Sequence, residues 1–190
     1  LMRRMIPEMN RLVFVRAGRY INQQYEDELR KLLDTDYPGM RFTSYKASNM
    51  SVDQLLDSLN VTDTRHTGVL FSSWHYTRNI AGNTEITANP FKIIASSTAP
   101  LFALWPSSVK NSGVVGGFTY DVSVYNRQII KTFNTILEGR QPRDIPFYTP
   151  TDAHPTFNYP AMLRNKISPE ICPPDSVFID KPETFAERNR

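Results

Sequence analysis

Apolar residues fall in short runs separated by amphipathic stretches, and the two kinds of segment alternate along most of the chain. The first run, Leu12, Val13, Phe14 and Val15 within Arg11 to Val15, is continuously apolar, as expected of a strand buried on both faces of a parallel sheet. Ile21, Tyr25, Leu29, Leu32 and Leu33 follow at helical spacing, with Glu26, Asp27, Arg30 and Lys31 on the other face. The helix they predict stops before the breaker cluster Tyr37-Pro38-Gly39. Arg41 to Tyr45 then alternates polar and apolar residues, which predicts a half-exposed strand at a sheet edge. Ser51 with Gln54 three residues on forms a capping-box signature, and Val52, Leu55, Leu56 and Leu59 give the next helix a buried stripe.

Further strands are predicted at Val69 to Phe71, Lys92 to Ala95 and Gly113 to Val115, with a weak helix around Arg78 to Ile80. A long helix runs from about Asp121 to Leu137. It carries Val122, Tyr125, Ile129, Ile130, Phe133, Ile136 and Leu137 on one face, and Gly139 just beyond its end. Strands alternating with helices predict an α/β fold, a parallel five-stranded sheet with helices on both faces. Placing the alternating strand at an edge gives the order 2-1-3-4-5, flavodoxin-like in topology. Past Pro142 the periodicity is lost. Pro146, Pro150, Pro155, Pro160, Pro169, Pro173, Pro174 and Pro182 punctuate an irregular proline-rich tail. The expected division is a lobe over 1–142, a closing tail over 143–182 and a polar connector over 183–190.

A chain of 190 residues, 40% hydrophobic, fills one α/β core but not two full domains. Its 22 basic and 19 acidic residues are scattered, without the basic stripe that tracking a phosphate backbone requires, so no nucleic-acid partner is expected. The single cysteine, Cys172, rules out an intrachain disulfide and a cysteine metal cluster. No apolar run approaches the ~18 residues of a spanning helix, and the first ten residues lack the apolar core of a signal peptide. No phosphate-binding glycine loop, metalloprotease helix or serine-nucleophile elbow is present. Arg16-Ala17-Gly18-Arg19 departs from a dinucleotide fingerprint, and His66, His75 and His154 are far apart. No cofactor or metal is expected.

In open parallel sheets ligands gather at the carboxyl ends of the strands. That points to Arg16, to Ser72-Ser73-Trp74-His75-Tyr76, to Ser96-Ser97-Thr98 and to the stretch from Gly116 to Asp121. Ser72, Trp74, His75, Thr119 and Tyr120 are the candidate ligand-binding residues, holding a small molecule by hydrogen bonds and ring stacking. Plainer roles compete with these. The hydroxyls also read as caps, Trp74 as core, Gly116-Gly117 as a packing site rather than an anion site, and Asp121 as a helix cap.

The order and spacing of several segments carry a likeness. Gly113-Val114-Val115-Gly116-Gly117-Phe118 precedes its helix, Ile136-Leu137-Glu138-Gly139-Arg140-Gln141-Pro142 ends it, and Asp144-Ile145-Pro146, Phe157-Asn158-Tyr159, Met162 to Ile167 and Pro173 to Pro182 follow. Together they resemble the extracytoplasmic sensor region of bacterial two-component sensor histidine kinases, often hybrid kinases with a fused receiver. That sensor is related to ABC-type solute-binding proteins of the type I periplasmic-binding fold. The resemblance implies a non-enzymatic second lobe, a missing N-terminal lobe of the same protein before Leu1, and a small-molecule ligand between the two. It also implies a downstream transmembrane helix leading to the kinase, a place on the extracytoplasmic face of the membrane, and a possible homodimer. Asn158 stands where related kinases are expected to carry an Asp. A solute-binding component of an importer is the alternative, and an enzyme is a third.

Overall fold

A computed structural model of the chain describes residues 1–79, 81–86, 95–110, 113–148 and 153–183. After the short helix α1 (Met2–Met5), the first apolar run forms β1 (Arg11–Arg16) and the amphipathic segment forms α2 (Tyr20–Asp36). There follow β2 (Arg41–Lys46), α3 (Val52–Asn60) and β3 (Thr67–Phe71), then a hairpin of β4 (Tyr76–Arg78) and β5 (Thr84–Ile86). The remainder is β6 (Leu101–Ala103), α4 (Pro106–Val109), β7 (Gly116–Tyr120), α5 (Val122–Leu137), β8 (Ala153–Asn158), α6 (Tyr159–Arg164) and β9 (Val177–Ile179). The main sheet has the order β2-β1-β3-β6-β7-β8-β9.

The α/β class, the parallel pairing and the edge position of β2 follow the sequence pattern. Alternation along the strands buries both faces. Val13 and Val15 pack with Val69, Phe71, Leu55 and Leu59, while Leu12 and Phe14 pack with Leu70, Phe102, Leu33 and Met162. The capping box at Ser51 is complete, with the Gln54 backbone N–H donating to the Ser51 hydroxyl and the Ser51 N–H to the Gln54 side chain.

The structure corrects several expectations. Among the described residues the sheet has seven strands rather than five, because the proline-rich tail is not irregular throughout. It supplies β8, antiparallel to β7, and β9, parallel to β8. Phe157, Met162 and Cys172 from that tail are buried in the core, and burial pushes the Cys172 thiol up from its ordinary pKa. Asn158 caps α6 by accepting from the Ala161 N–H, and its amide donates to the Asp180 carboxylate, which an Asp in its place could not do. Of the strand expected at Lys92 to Ala95, residues 92–94 lie outside the described residues and Ala95 is in a turn. The strand beside β3 is Leu101–Ala103, so Ser96-Ser97-Thr98 precede it and lie at the opposite end of the sheet. Where a weak helix was expected near Arg78, β4 pairs with β5; Ile80 lies outside the described residues.

The strand expected at Gly113 to Val115 begins three residues later. Gly116 and Gly117 are therefore inside β7 rather than in a turn after it, and their need is steric. A Cβ on Gly117 would run into the Ala103 carbonyl oxygen, and one on Gly116 into the Thr156 carbonyl oxygen and the Phe157 ring. We predict that Gly117→Ala destabilises the fold by more than about 2 kcal/mol in urea unfolding, because backbone rather than a flexible side chain must give way. A loss below about 0.5 kcal/mol, the range of neutral surface changes, would contradict this packing.

Candidate binding edge

Because β1, β2, β3, β6 and β7 run parallel, their carboxyl ends share one edge of the sheet. The turns after β1 (17–19), β2 (47–51) and β3 (72–75), with Leu104-Trp105 and Tyr120-Asp121, all emerge there. α2, α3 and α5 begin there, so their positive dipole ends face the same side.

A buried polar layer holds the edge. Arg16, the last residue of β1, is 2% exposed. Its guanidinium donates to the Glu26 carboxylate, the Gln23 amide oxygen and the Ala17 carbonyl. Glu26 is 3% exposed and also accepts from Arg30 at 2.7 Å and from the Ser44 hydroxyl at 2.9 Å. Burial pushes the Glu26 carboxyl up, but the bonds from Arg30, Ser44 and Arg16 outweigh it and hold the carboxyl below its ordinary value. Asn22, also buried, accepts from the Ser72 hydroxyl at 2.7 Å and donates to the Ser73 hydroxyl at 2.8 Å. α2 is accordingly turned toward Asn22 and Glu26. Ile21 and Leu32, expected in its buried stripe, are exposed.

Of the five sequence candidates, Ser72, Trp74 and Thr119 are buried. Ser72 is engaged by Asn22, Trp74 packs among Val13, Val15 and Phe71, and the Thr119 hydroxyl donates to that of Thr156 at 2.9 Å. His75 and Tyr120 present surface at the edge. β6 separates β3 from β7, so the two groups stand about 10 Å apart at ordinary strand spacing. Burial, assisted by Arg19, pulls the His75 pKa down, which favours a neutral ring that donates from one nitrogen and accepts at the other. The Asp121 carboxylate accepts from the Ser123 hydroxyl and backbone N–H at the start of α5, so its role is that of a cap.

Arg19, Ser48, Thr77, Thr84, Trp105, Tyr125, Tyr148 and His154, which the sequence does not single out for this edge, join the expected Tyr76, Thr119 and Tyr120. Arg19, Ser48, Tyr76, Thr77 and Thr84 line a cavity of about 320 Å3 between the turns after β1 and β2 and the hairpin. Trp105 follows β6 and packs on Tyr25 with ring centroids 6.0 Å apart. Tyr120, Tyr125 and Tyr148 form a chain of edge-to-face contacts at 5.9 and 6.5 Å. Thr119, Tyr120 and His154 belong to a second cavity of about 850 Å3 beyond β7. Hydroxyls, one guanidinium and half-exposed rings thus stand on a single edge, a composition that holds a small organic molecule by hydrogen bonds and stacking. Among the described residues, no group of three or more acidic, histidine or cysteine side chains is placed to hold a metal ion.

No family model and no curated protein sequence matches the chain. Solved structures do. An ABC domain in complex with L-Trp from Streptococcus pneumonia matches with a TM-score of 0.68 at 14% identity, covering 94% of this chain and 59% of that one. A conserved domain protein from Vibrio cholerae O1 biovar El Tor matches at 0.65 and 15%, covering 90% and 55%. The ligand-free, open structure of a substrate-binding protein with adhesive properties from Clostridium difficile matches at 0.62 and 14%, covering 94% and 57%. The likeness is one of fold: the chain has the α/β architecture found in substrate-binding proteins. It spans less than three fifths of the length of each of these neighbours.

Glu26→Gln leaves the buried Arg16 without its counter-charge, an expected loss on the order of 3 kcal/mol at neutral pH. Because the folded-state pKa of Glu26 is depressed, its contribution is present above the ordinary carboxylate value and is lost as pH falls through the folded value. Urea unfolding of parent and variant should therefore show a gap at pH 7 that narrows near about pH 3, below the carboxylate range. A gap of equal size at both would contradict a charged Glu26 in the folded protein.

Proposed function

We propose that this chain is one lobe of a two-lobed ligand-sensing module, with a small molecule held between the carboxyl edge of its sheet and a second lobe of the same protein. The observation that carries the reading is α5. The helix leaves the binding edge directly after β7, and none of its residues is buried. Val122, Tyr125, Ile129, Ile130, Phe133, Ile136 and Leu137 span an arc of about 140° at 100° per residue, with Ile129 64% and Leu137 69% exposed. An apolar face of that width marks a docking surface. Covering it would contribute roughly 10 kcal/mol before the costs of association. The occupant is a second lobe, since the fold neighbours extend well beyond the part this chain matches and the helix rises from the edge where the ligand lies.

Ligand capture then shifts the lobes between open and closed populations, and the difference in affinity for the two supplies the signalling energy. In this proposal the closed state is relayed through a downstream membrane helix to a histidine kinase, as the segments from Gly113 to Pro182 suggest. Neighbours described as an ABC domain and a substrate-binding protein support the importer alternative, which uses the same lobe and cleft. The reading frame beyond Arg190 separates them. A spanning helix followed by a kinase core supports the sensor, and a stop codon shortly after Arg190 supports the importer.

In the protein carrying both lobes, Ile129→Lys combined with Phe133→Lys should separate the lobes, raising the radius of gyration in small-angle scattering and abolishing ligand-induced thermal stabilisation in a metabolite screen. Unchanged scattering and unchanged ligand response would overturn the docking role of α5.

A further inference from the structure

Two arginines stand where β1 gives way to α2, and they differ in what they meet. Arg16 is engaged below the surface by Glu26, Gln23 and the Ala17 carbonyl. Arg19, three residues on, is exposed and, among the described residues, takes part in no ion pair or cation–π contact. It lines the cavity of about 320 Å3 with Ser48, Tyr76, Thr77 and Thr84, and no acidic side chain shares that lining. Glu85, the acidic residue of the hairpin, accepts from the Asn79 amide and lines a different cavity.

The place of Arg19 adds to this excess of positive charge. It is the N-cap of α2, a position where Ser, Thr, Asp or Asn ordinarily accepts from the first backbone N–H groups. Arg19 makes no such bond, and the first turn of α2 carries no acidic residue, so the positive pole of a 17-residue helix stands beside the guanidinium. The same charge helps to pull the His75 pKa down, which keeps that ring neutral. Around the cavity, Ser48 and Thr77 spend their hydroxyl protons on the Asn49 side chain and the Met50 carbonyl. Tyr76 and Thr84 keep theirs, with no partner for either hydroxyl among the described residues.

We infer that this cavity is an anion subsite: the ligand of the edge is a small organic acid whose carboxylate or phosphate accepts from the Arg19 guanidinium and from the Tyr76 and Thr84 hydroxyls. The inference rests on the reading of this edge as a ligand surface and adds the charge of the ligand to it. Both acid groups present the paired oxygens that an arginine fork takes. Either one meets a positive charge that the lining of the cavity leaves unbalanced, whereas an uncharged or cationic ligand does not. At about 320 Å3 the cavity is at the small end for ligand sites, so it takes the acid group and leaves the remainder of the molecule to the rest of the edge.

The test compares anions with uncharged counterparts in the full-length protein. Acetate, benzoate and inorganic phosphate are titrated at constant ionic strength and followed by the melting temperature, with acetamide and benzamide as the counterparts. At least one anion should stabilise the parent while the amides do not, and the carboxylate and phosphate arms tell which acid group the subsite takes. Arg19→Gln should weaken that binding at least about tenfold, the effect of losing a hydrogen bond to a charged group. Arg143→Gln, which removes an equal charge from a side chain 85% exposed, should leave it unchanged. Equal binding of acids and amides, no stabilisation by any of the three anions, or equal affinity in the two variants would each overturn the inference. An anion that stabilises the parent and the Ile129→Lys, Phe133→Lys protein alike supports the subsite and removes the second lobe from it, so the two readings fail separately.

Discussion

Arg16 ends the first strand of the sheet with a charge that has almost no access to water, and the candidate binding edge is built around satisfying it. A buried guanidinium without a partner costs several kcal/mol, so α2 turns Glu26 and Gln23 inward to meet it. That rotation also buries Asn22, which ties the hydroxyls of Ser72 and Ser73 to the start of α2. It fixes the turns after β1 and β3 relative to each other. Arg19, Ser48, His75 and Tyr76 thereby stand on a rigid support, the condition a ligand surface needs to avoid an ordering cost on binding.

Beyond that edge, the lobe leaves apolar surface in two places that differ in kind. The groove on the sheet face lies beside α1 and α2 and is lined by Leu70, Phe102 and Phe118. The face of α5 is a stripe on a helix that leaves the lobe altogether. The stripe asks for a body docked beside the binding edge, in a chain that matches only part of each fold neighbour. In the proposed two-lobed protein, closure between lobes would give such an arrangement its function, because a ligand bridging two surfaces shifts their equilibrium by its differential affinity for the closed state.

The parts of the fold legible in the sequence were the local ones. The run from Leu12 to Val15 and the box at Ser51 and Gln54 declare themselves through neighbours a few residues away. β6 did not, because the four apolar residues Leu101 to Leu104 before Trp105-Pro106 look no more strand-like than Lys92 to Ala95, and the choice between them is made by pairing with β3. With β6 misplaced, Trp105 was out of view as an edge residue. Glu26 reads as solvent-facing in the sequence because charged residues ordinarily belong there; only the burial of Arg16, a tertiary fact, draws it inward. The α5 stripe was legible as a pattern, although its exposure was not, since a sequence shows that a face is apolar and leaves open what covers it. The prolines predict an irregular tail, yet Phe157, Met162 and Cys172 take places in the core because β8 pairs with β7.

In the proposed protein the ligand meets this chain at the carboxyl edge of its parallel sheet, opposite a lobe seated on α5. The most direct measurement is amide hydrogen exchange on the two-lobed protein with and without a ligand that raises its melting temperature. Added protection in the turns at 17–19, 47–51 and 72–75, at Leu104-Trp105 and at Tyr120-Asp121 is the predicted result. Protection confined to the opposite end of the sheet, around 61–66 and 96–100, would contradict the account.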